Sequence, residues 1–326
     1  MRMVLVRNDK LGDSLLTTPL VATLHREIVD LDLTVVTDRV GKEVFRRLPQ
    51  VGQVRLMPPF PSFREALQEG LAWRRGGVQS VIMTRPNGRV YALAALLSGA
   101  KHRIGAVEPS KWYARLFTAN RWSTFDSREH FARKYLSLAE PLLGRHPADE
   151  PTIFPYREVS LNPVAAILHM GGGGAHVTLM EETYKEVAAG LKEAFGSVAL
   201  TGDEGMVEMA SRIGASTGAL DLTGKTDLDA LAGLQQRARV TVGATTGAMH
   251  LAAAVGCPQV VAFLMRSADP QQWSPWMSPH RIVRSDHFCA VCTESRCTRT
   301  EWTCRNTLRP EALIDAAQDV ARPLPK

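Results

Sequence analysis

The chain has 326 residues, 45% of them hydrophobic and 22% charged, with a formal net charge of +6. That length suits two domains with separate cores. No run approaches the ~18 apolar residues of a membrane span, and MRMVLVRNDK holds no apolar segment of signal-peptide length, so transmembrane and secreted classes are set aside and a cytoplasmic protein is expected.

Met3–Arg7 has the pattern of a buried strand, Asn8–Asp13 reads as a loop and Ser14–His25 as a helix. Leu33–Thr37 and Val78–Thr84 follow as strands, and Val90–Leu97 and His130–Leu143 as helices. Strands alternating with helices predict an open parallel sheet covered on both faces. Asp13 stands where the chain enters its first helix, beside a Gly12 that permits close backbone approach. A carboxylate there can cap the helix or take a proton from a bound hydroxyl. Residues 146–163 carry four prolines and no steady periodicity. They mark a linker between a domain at 1–155 and a second at 156–326.

The second half starts the pattern again. Val164–His169 is a strand that runs into Gly171-Gly172-Gly173-Gly174, Glu181–Phe195 a helix, Ser197–Thr201 a strand, and Glu204–Ile213 and Leu228–Arg237 helices. Strand Val240–Val242 then leads through the turn Gly243-Ala244-Thr245-Thr246-Gly247 into helix Ala248–Val255 and strand Val260–Leu264. Small hydroxyl residues and a glycine at a helix N-terminus, past the carboxyl end of a strand, make a seat for a phosphate or diphosphate. His250 lies one turn into that helix; the alternative is a capped αβ unit with a core-facing histidine. Gly171–Gly174 could also let backbone N–H groups approach a phosphate. Without GxGxxG spacing and an acidic residue about 20 positions on, it is no dinucleotide fingerprint. Two doubly wound domains in tandem predict a ligand cleft between them, at the carboxyl ends of both sheets. The last helix, Pro310–Ala321, has no evident partner in the second domain and is a candidate to pack back on the first.

Charge is unevenly placed: residues 1–155 carry 23 Lys and Arg against 15 Asp and Glu, the remainder 16 against 18. A basic first half suggests an acidic partner, an anionic lipid or a membrane surface, or a merely solvated face. No nucleic-acid-binding motif is present. Cys257 stands alone in a helix exit, as a buried small hydrophobe. The other cysteines form Cys289-x2-Cys292-x4-Cys297-x6-Cys304. That cluster is open to three readings, a structural metal (zinc, or iron), disulfides or free thiols; a cytoplasmic setting disfavours disulfides. Asp30-Leu31-Asp32 and Asp227-Leu228-Asp229 imitate an Asp-x-Asp metal site, but one precedes a strand and the other caps a helix, as chance spacing would.

RNDKLGDSLLTTPLVATL at 7–24 resembles the opening motif of the ADP-heptose:lipopolysaccharide heptosyltransferase family, and DLTGKTDLDALAGLQQRARVTVGATTGAMHLAAAVGCPQVVAF at 221–263 its donor-site segment. EHFARKYLSLAEPLLG (129–144) and QQWSPW (271–276) match in place and character. The resemblance implies a GT-B fold, two Rossmann-like domains facing a central cleft, and metal-independent, inverting transfer of a sugar from a nucleotide diphosphate. Asp13 is then the general base. Gly171, Gly172, Thr201, Gly202, Gly224, Lys225, Thr245, Thr246, Gly247 and His250 are the expected donor-binding residues. Two positions depart from the family pattern: Thr245 fills an acidic slot, and Ala175-His176-Val177 lacks the usual cation, with His176, Lys225 and Arg266 as candidates to replace it. The resemblance also implies that a cysteine-rich segment at this place can bind iron in some relatives. The expected partners are a nucleotide-sugar donor and an acidic saccharide or lipid-linked acceptor at the inner membrane face. Alternatives are a protein or small-metabolite acceptor, or a non-catalytic sugar-nucleotide-binding relative.

Overall fold

A computed structural model of the chain describes residues 1–84, 88–171, 178–264, 268–285 and 307–323. They form two compact units, Met1–Pro155 and Tyr156–Lys326. The first holds six parallel strands, β1 (Arg2–Val6), β2 (Asp32–Thr37), β3 (Gln53–Leu56), β4 (Ser80–Met83), β5 (His102–Gly105) and β6 (Ala119–Asn120), in the order β3-β2-β1-β4-β5-β6. The second holds β7 (Ala166–His169), β8 (Val198–Thr201), β9 (Leu220–Asp221), β10 (Val240–Ala244), β11 (Gln259–Phe263) and β12 (His280–Arg284), in the order β12-β11-β10-β7-β8-β9. Counted from its own first strand, each sheet is wound 3-2-1-4-5-6. Strand order therefore reverses between β1 and β4 and between β7 and β10. Doubly wound sheets bind ligands at the carboxyl ends of the strands flanking such a reversal.

The unbroken apolar run of β1 serves two cores at once. Met3 and Leu5 pack with Leu20, Leu24 and Phe45 on one face, while Val4 and Val6 pack with Trp73, Val81 and Tyr91 on the other. In the second unit, β7 sends Ala166 and Leu168 into one core and Ile167 into another. Each fully buried Val, Leu, Ile, Met or Phe among these contributes roughly 1.5–3 kcal/mol.

Three predicted elements differ in the structure. The first helix is two, Leu11–Leu16 and Thr18–Glu27, separated at Thr17. Pro19, in the first turn of the second, lacks an N–H and favours a fresh helix start over continuation. The first helix begins before Asp13, which lies inside it and does not cap it; no side chain caps this helix. The predicted helix 130–143 consists of Phe131–Leu136, a 3₁₀ turn at Ser137–Ala139 and Glu140–Leu143, the last with Pro141 in its first turn. The last helix, Pro310–Val320, does have a partner in the second unit. Leu313 and Ala317 join the core beneath β7 and β10. Ile314 presses on Gly190 of helix Glu181–Phe195, where an added Cβ would lie 2.3 Å from its Cδ1. The missing side chain is what lets these two helices meet. Among the described residues, no helix is long and apolar enough to cross a membrane.

Candidate active site

At the β1/β4 reversal the chain leaves β1 through Arg7, whose N–H donates to the Val36 carbonyl at 2.8 Å. Its side chain is only 1% exposed, and a buried guanidinium is tolerated only with partners. Nη2 lies 2.5 Å from Asp13 Oδ1 and 3.9 Å from Asp9 Oδ2. Nη1 reaches the carbonyl and hydroxyl of Thr84, both at 3.4 Å, and the guanidinium sits 4.7 Å from the centre of the Tyr135 ring. Thr84 follows β4 and its hydroxyl donates to the Val6 carbonyl at 3.0 Å, joining the two flanking strands. Burial pulls the Arg7 pKa down, but Tyr135, Asp13 and Asp9 outweigh it and the net direction is upward. The guanidinium stays charged.

Tyr135, on helix Phe131–Leu136, donates its hydroxyl to the same Asp13 Oδ1 at 2.8 Å. Burial holds its pKa well above the usual value, with Arg7 lowering it and Asp13 raising it, so the phenol keeps its proton. Asp13 Oδ2 accepts no hydrogen bond among the described residues. Next to Arg7, the Asn8 amide donates to the Tyr91 hydroxyl at 2.5 Å and to the Pro58 carbonyl at 3.1 Å. The loop after β1 is thereby tied to the loop after β3.

The β7/β10 reversal is built from other materials. His169 closes β7 with Nδ1 3.1 Å from the hydroxyl of Thr201, which closes β8. Burial lowers the His169 pKa to about 4, against smaller opposing effects of Gly171 and Asp203, so the ring is neutral at ordinary pH. The turns behind these strands approach backbone to backbone. A Cβ on Gly171 would lie 2.8 Å from the Asp203 nitrogen, and one on Gly202 3.1 Å from the Gly171 nitrogen. Gly224, at φ +69°, donates its N–H to the Gly202 carbonyl at 3.0 Å. Beside them, Gly243 at the end of β10 lies so close to His169 that a Cβ would be 3.1 Å from its carbonyl oxygen.

Beyond β10, Thr245 turns both its N–H (3.2 Å) and its hydroxyl (3.1 Å) to the Ala262 carbonyl. Thr246 is the extended N-cap of helix Gly247–Ala254, with no side-chain cap. Its hydroxyl oxygen is buried and has no hydrogen-bond partner among the described residues. A helix start leaves N–H groups without intrahelical partners, and here an unspent hydroxyl sits beside them. Gln235, from helix Leu228–Arg237, fastens the turn by donating to the Ala248 carbonyl at 3.0 Å. His250 is buried in the same helix.

The structure thus gathers Gly171, Thr201, Gly202 and Gly224 behind β7, β8 and β9, and Thr245, Thr246, Gly247 and His250 behind β10. Lys225 stands apart, its side chain 60% exposed and bonded back to the Asp221 carbonyl at 2.9 Å. Gly172, His176, Arg266 and Cys289, Cys292, Cys297 and Cys304 lie outside the described residues. Among the described residues no group of three His, Cys, Asp or Glu could hold a metal. Asp227 caps its helix through the Ala230 N–H at 2.8 Å, and Asp229 is buried against Arg157. That accounts for the second Asp-x-Asp. Sequence reasoning missed Arg7, Tyr135, Asn8, His169 and Gln235. Arg7, Asn8, Tyr135 and Gln235 carried a signal, since they lie inside the matched segments 7–24, 129–144 and 221–263; His169 did not.

Against known proteins, the description of glycosyltransferase family 9 (heptosyltransferase) matches residues 86–303. A curated protein of Haemophilus influenzae, named "Putative glycosyltransferase", is 25% identical over 305 residues, covering 84% of this chain and 86% of its own. The solved glycosyl transferase family 9 structure from Veillonella parvula superposes with a TM-score of 0.78 at 16% identity, over 98% of this chain and 96% of the other. The ADP-heptose lps heptosyltransferase II of E. coli superposes with a TM-score of 0.72 at 18% identity, over 98% of both. Two parallel-sheet α/β domains of the GT-B kind are common to all three structures.

Proposed function

The chain belongs to glycosyltransferase family 9 (heptosyltransferase), and from that membership we propose that it moves a heptose or related sugar from an ADP-type donor to a lipopolysaccharide-core or similar saccharide, with inversion. The carrying observation is Asp13 at the β1/β4 reversal of a family-9 glycosyltransferase, a carboxylate whose Oδ1 meets Arg7 and Tyr135 while its Oδ2 accepts no hydrogen bond among the described residues. Oδ2 accepts the proton of an acceptor hydroxyl as that oxygen bonds to the anomeric carbon of the sugar. The bond from that carbon to the donor phosphate breaks on the opposite side, so a single displacement inverts the centre. Charge developing on the departing diphosphate meets the N–H groups at the Gly247 helix start and the Thr246 hydroxyl, which are already in place before reaction.

The donor sugar is left broader than ADP-heptose because of Thr245. Where the family pattern has a carboxylate, this hydroxyl is already bonded to Ala262, and a lost charged contact to a sugar hydroxyl is worth ~1.5–3 kcal/mol. Lys225 leans on Asp221 and does not supply the missing phosphate cation in this arrangement. Cys289, Cys292, Cys297 and Cys304 are proposed to hold one structural zinc or iron ion, apart in sequence from Asp13. The basic excess of the first unit is proposed to meet the acidic acceptor and anionic headgroups beside it, although part of it is internal: Arg7 and Lys134 are buried, and Arg133 pairs with Asp149.

A thermal-shift screen of ADP-, GDP- and UDP-linked sugars tests the reading, followed by ADP release in the presence of lipopolysaccharide-core saccharide. An ADP-linked sugar far above its Kd should raise Tm by several degrees. A shift with only UDP- or GDP-linked sugars would replace the donor assignment, and no shift with any would remove it.

A further inference from the structure

Resting on the reading of Asp13 as general base, we propose that Tyr135 and Arg7 are positioning residues that clamp Asp13 by Oδ1 and thereby assign proton transfer to Oδ2. The guanidinium and the phenol arrive from different parts of the chain, one at the end of β1 and one on helix Phe131–Leu136, 122 residues from Asp13, yet both approach the same carboxylate oxygen, Nη2 of Arg7 as an ion pair at 2.5 Å and the Tyr135 hydroxyl as a hydrogen bond at 2.8 Å. An ion pair that only neutralised the buried Arg7 would need no second donor there. An added phenol on Oδ1 completes one side of the carboxylate, while Oδ2 accepts no hydrogen bond among the described residues and the Asp13 side chain is 14% exposed.

The clamp itself is braced. Arg7 is held by Thr84 and stacked on the Tyr135 ring, so the two donors also fix each other. Tyr135 is 2% exposed, with the rings of Phe125 and Phe131 each 5.9 Å from its own. Its helix is entered through His130, whose Nδ1 accepts from the Ala132 N–H at 3.1 Å. An unclamped aspartate would rotate among several orientations, only some of which aim an oxygen at the acceptor. Fixing one in advance removes that orientational cost from the reaction. Among the described residues, the charged and titratable groups facing Asp13 are Arg7 and Tyr135, with Asp9 beyond Arg7.

Tyr135→Phe keeps the ring and its stacking on Arg7 and deletes only the donor. With ADP-heptose and lipopolysaccharide-core saccharide as substrates, kcat should fall roughly 10- to 100-fold, the value of a hydrogen bond to a charged group, with the KM for ADP-heptose unchanged. In an Asp13→Asn background the same substitution should cost little more, because the residue it acts through is already gone. Full activity in Tyr135→Phe, or an equal loss in both backgrounds, would overturn the clamp. Near-wild-type turnover by Asp13→Asn would instead overturn the general-base reading. A crystal structure of the full chain decides without turnover: Oδ1 must carry both donors, and a protein donor found on Oδ2 sinks the inference even if this substrate pair proves inert.

Discussion

The two strand-order reversals share one winding and almost nothing else. Behind β1 and β4, side chains do the organising: a buried guanidinium and a protonated phenol fix one carboxylate, and the Asn8 amide ties the loop to Tyr91 and Pro58. Behind β7, β8 and β10, the main chain does it, through glycines packed on neighbouring backbone and a helix start with a spare hydroxyl. The first arrangement suits handling one proton at a fixed point. The second suits wrapping N–H groups around a bulky anion. If that division holds, damage at the first reversal should appear in turnover and damage at the second in donor affinity.

The largest effect expected is at Asp13. Asp13→Asn preserves shape and can still accept from Tyr135 through its amide oxygen, but it cannot take a proton. Steady-state assays should show kcat down by ~10²–10⁴, together with a lower melting temperature, because the buried Arg7 loses its nearest counter-charge. A variant keeping more than about a third of the wild-type rate, with chemistry rate-limiting, would break the comparison at its first term.

A pH effect sets the second region apart. His169 has a folded pKa of about 4 against an ordinary value of 6.5, so the unfolded chain takes up its proton first as pH falls. The stability it supports is complete above about pH 6.5 and is lost as pH falls toward about 4, a contribution of about 1–3 kcal/mol. Denaturant unfolding at pH 7.5 and 4.5 should therefore show a smaller drop for His169→Asn than for wild type. Equal drops would mean the ring is not held neutral by its burial.

A smaller effect is expected at the helix start. Thr246→Val should raise the KM for the donor by about tenfold, the worth of one hydrogen bond, with kcat at saturation changed less. Thr118→Val, whose hydroxyl in the first unit serves only Arg103 among the described residues, should leave the donor KM alone. The smallest effect on this comparison should come from the cysteines. Chelator treatment should release near one equivalent of zinc or iron and lower Tm before it lowers kcat; metal-free protein with unchanged Tm would return them to thiols or disulfides.

What the sequence could reveal followed from how many sides of a residue are constrained. Central strands such as β1 and β4 are buried on both faces and read as unbroken apolar runs. The strands at or near the sheet edges, Gln53–Leu56, Ala119–Asn120, Leu220–Asp221 and His280–Arg284, are short or polar and escaped notice. Asp13 was legible because its neighbours form a local motif, and the Thr245–Gly247 turn because small residues before a helix are a local signal. The part played by Arg7 was not, although that residue closes the predicted strand Met3–Arg7 and opens the 7–24 motif. Its burial depends on Tyr135, which only folding brings to it. Pro19 was visible and should have divided the first helix; its acceptance in a first turn hid the break at Thr17.

The division of labour between the two regions can be tested in a single calorimetric comparison, ADP-heptose binding to the full-length wild type, Asp13→Asn and Thr246→Val. Asp13→Asn should bind with wild-type affinity and Thr246→Val about tenfold more weakly. Equal weakening of both variants, or undiminished binding by Thr246→Val, would contradict the assignment of proton transfer to the first unit and diphosphate binding to the second.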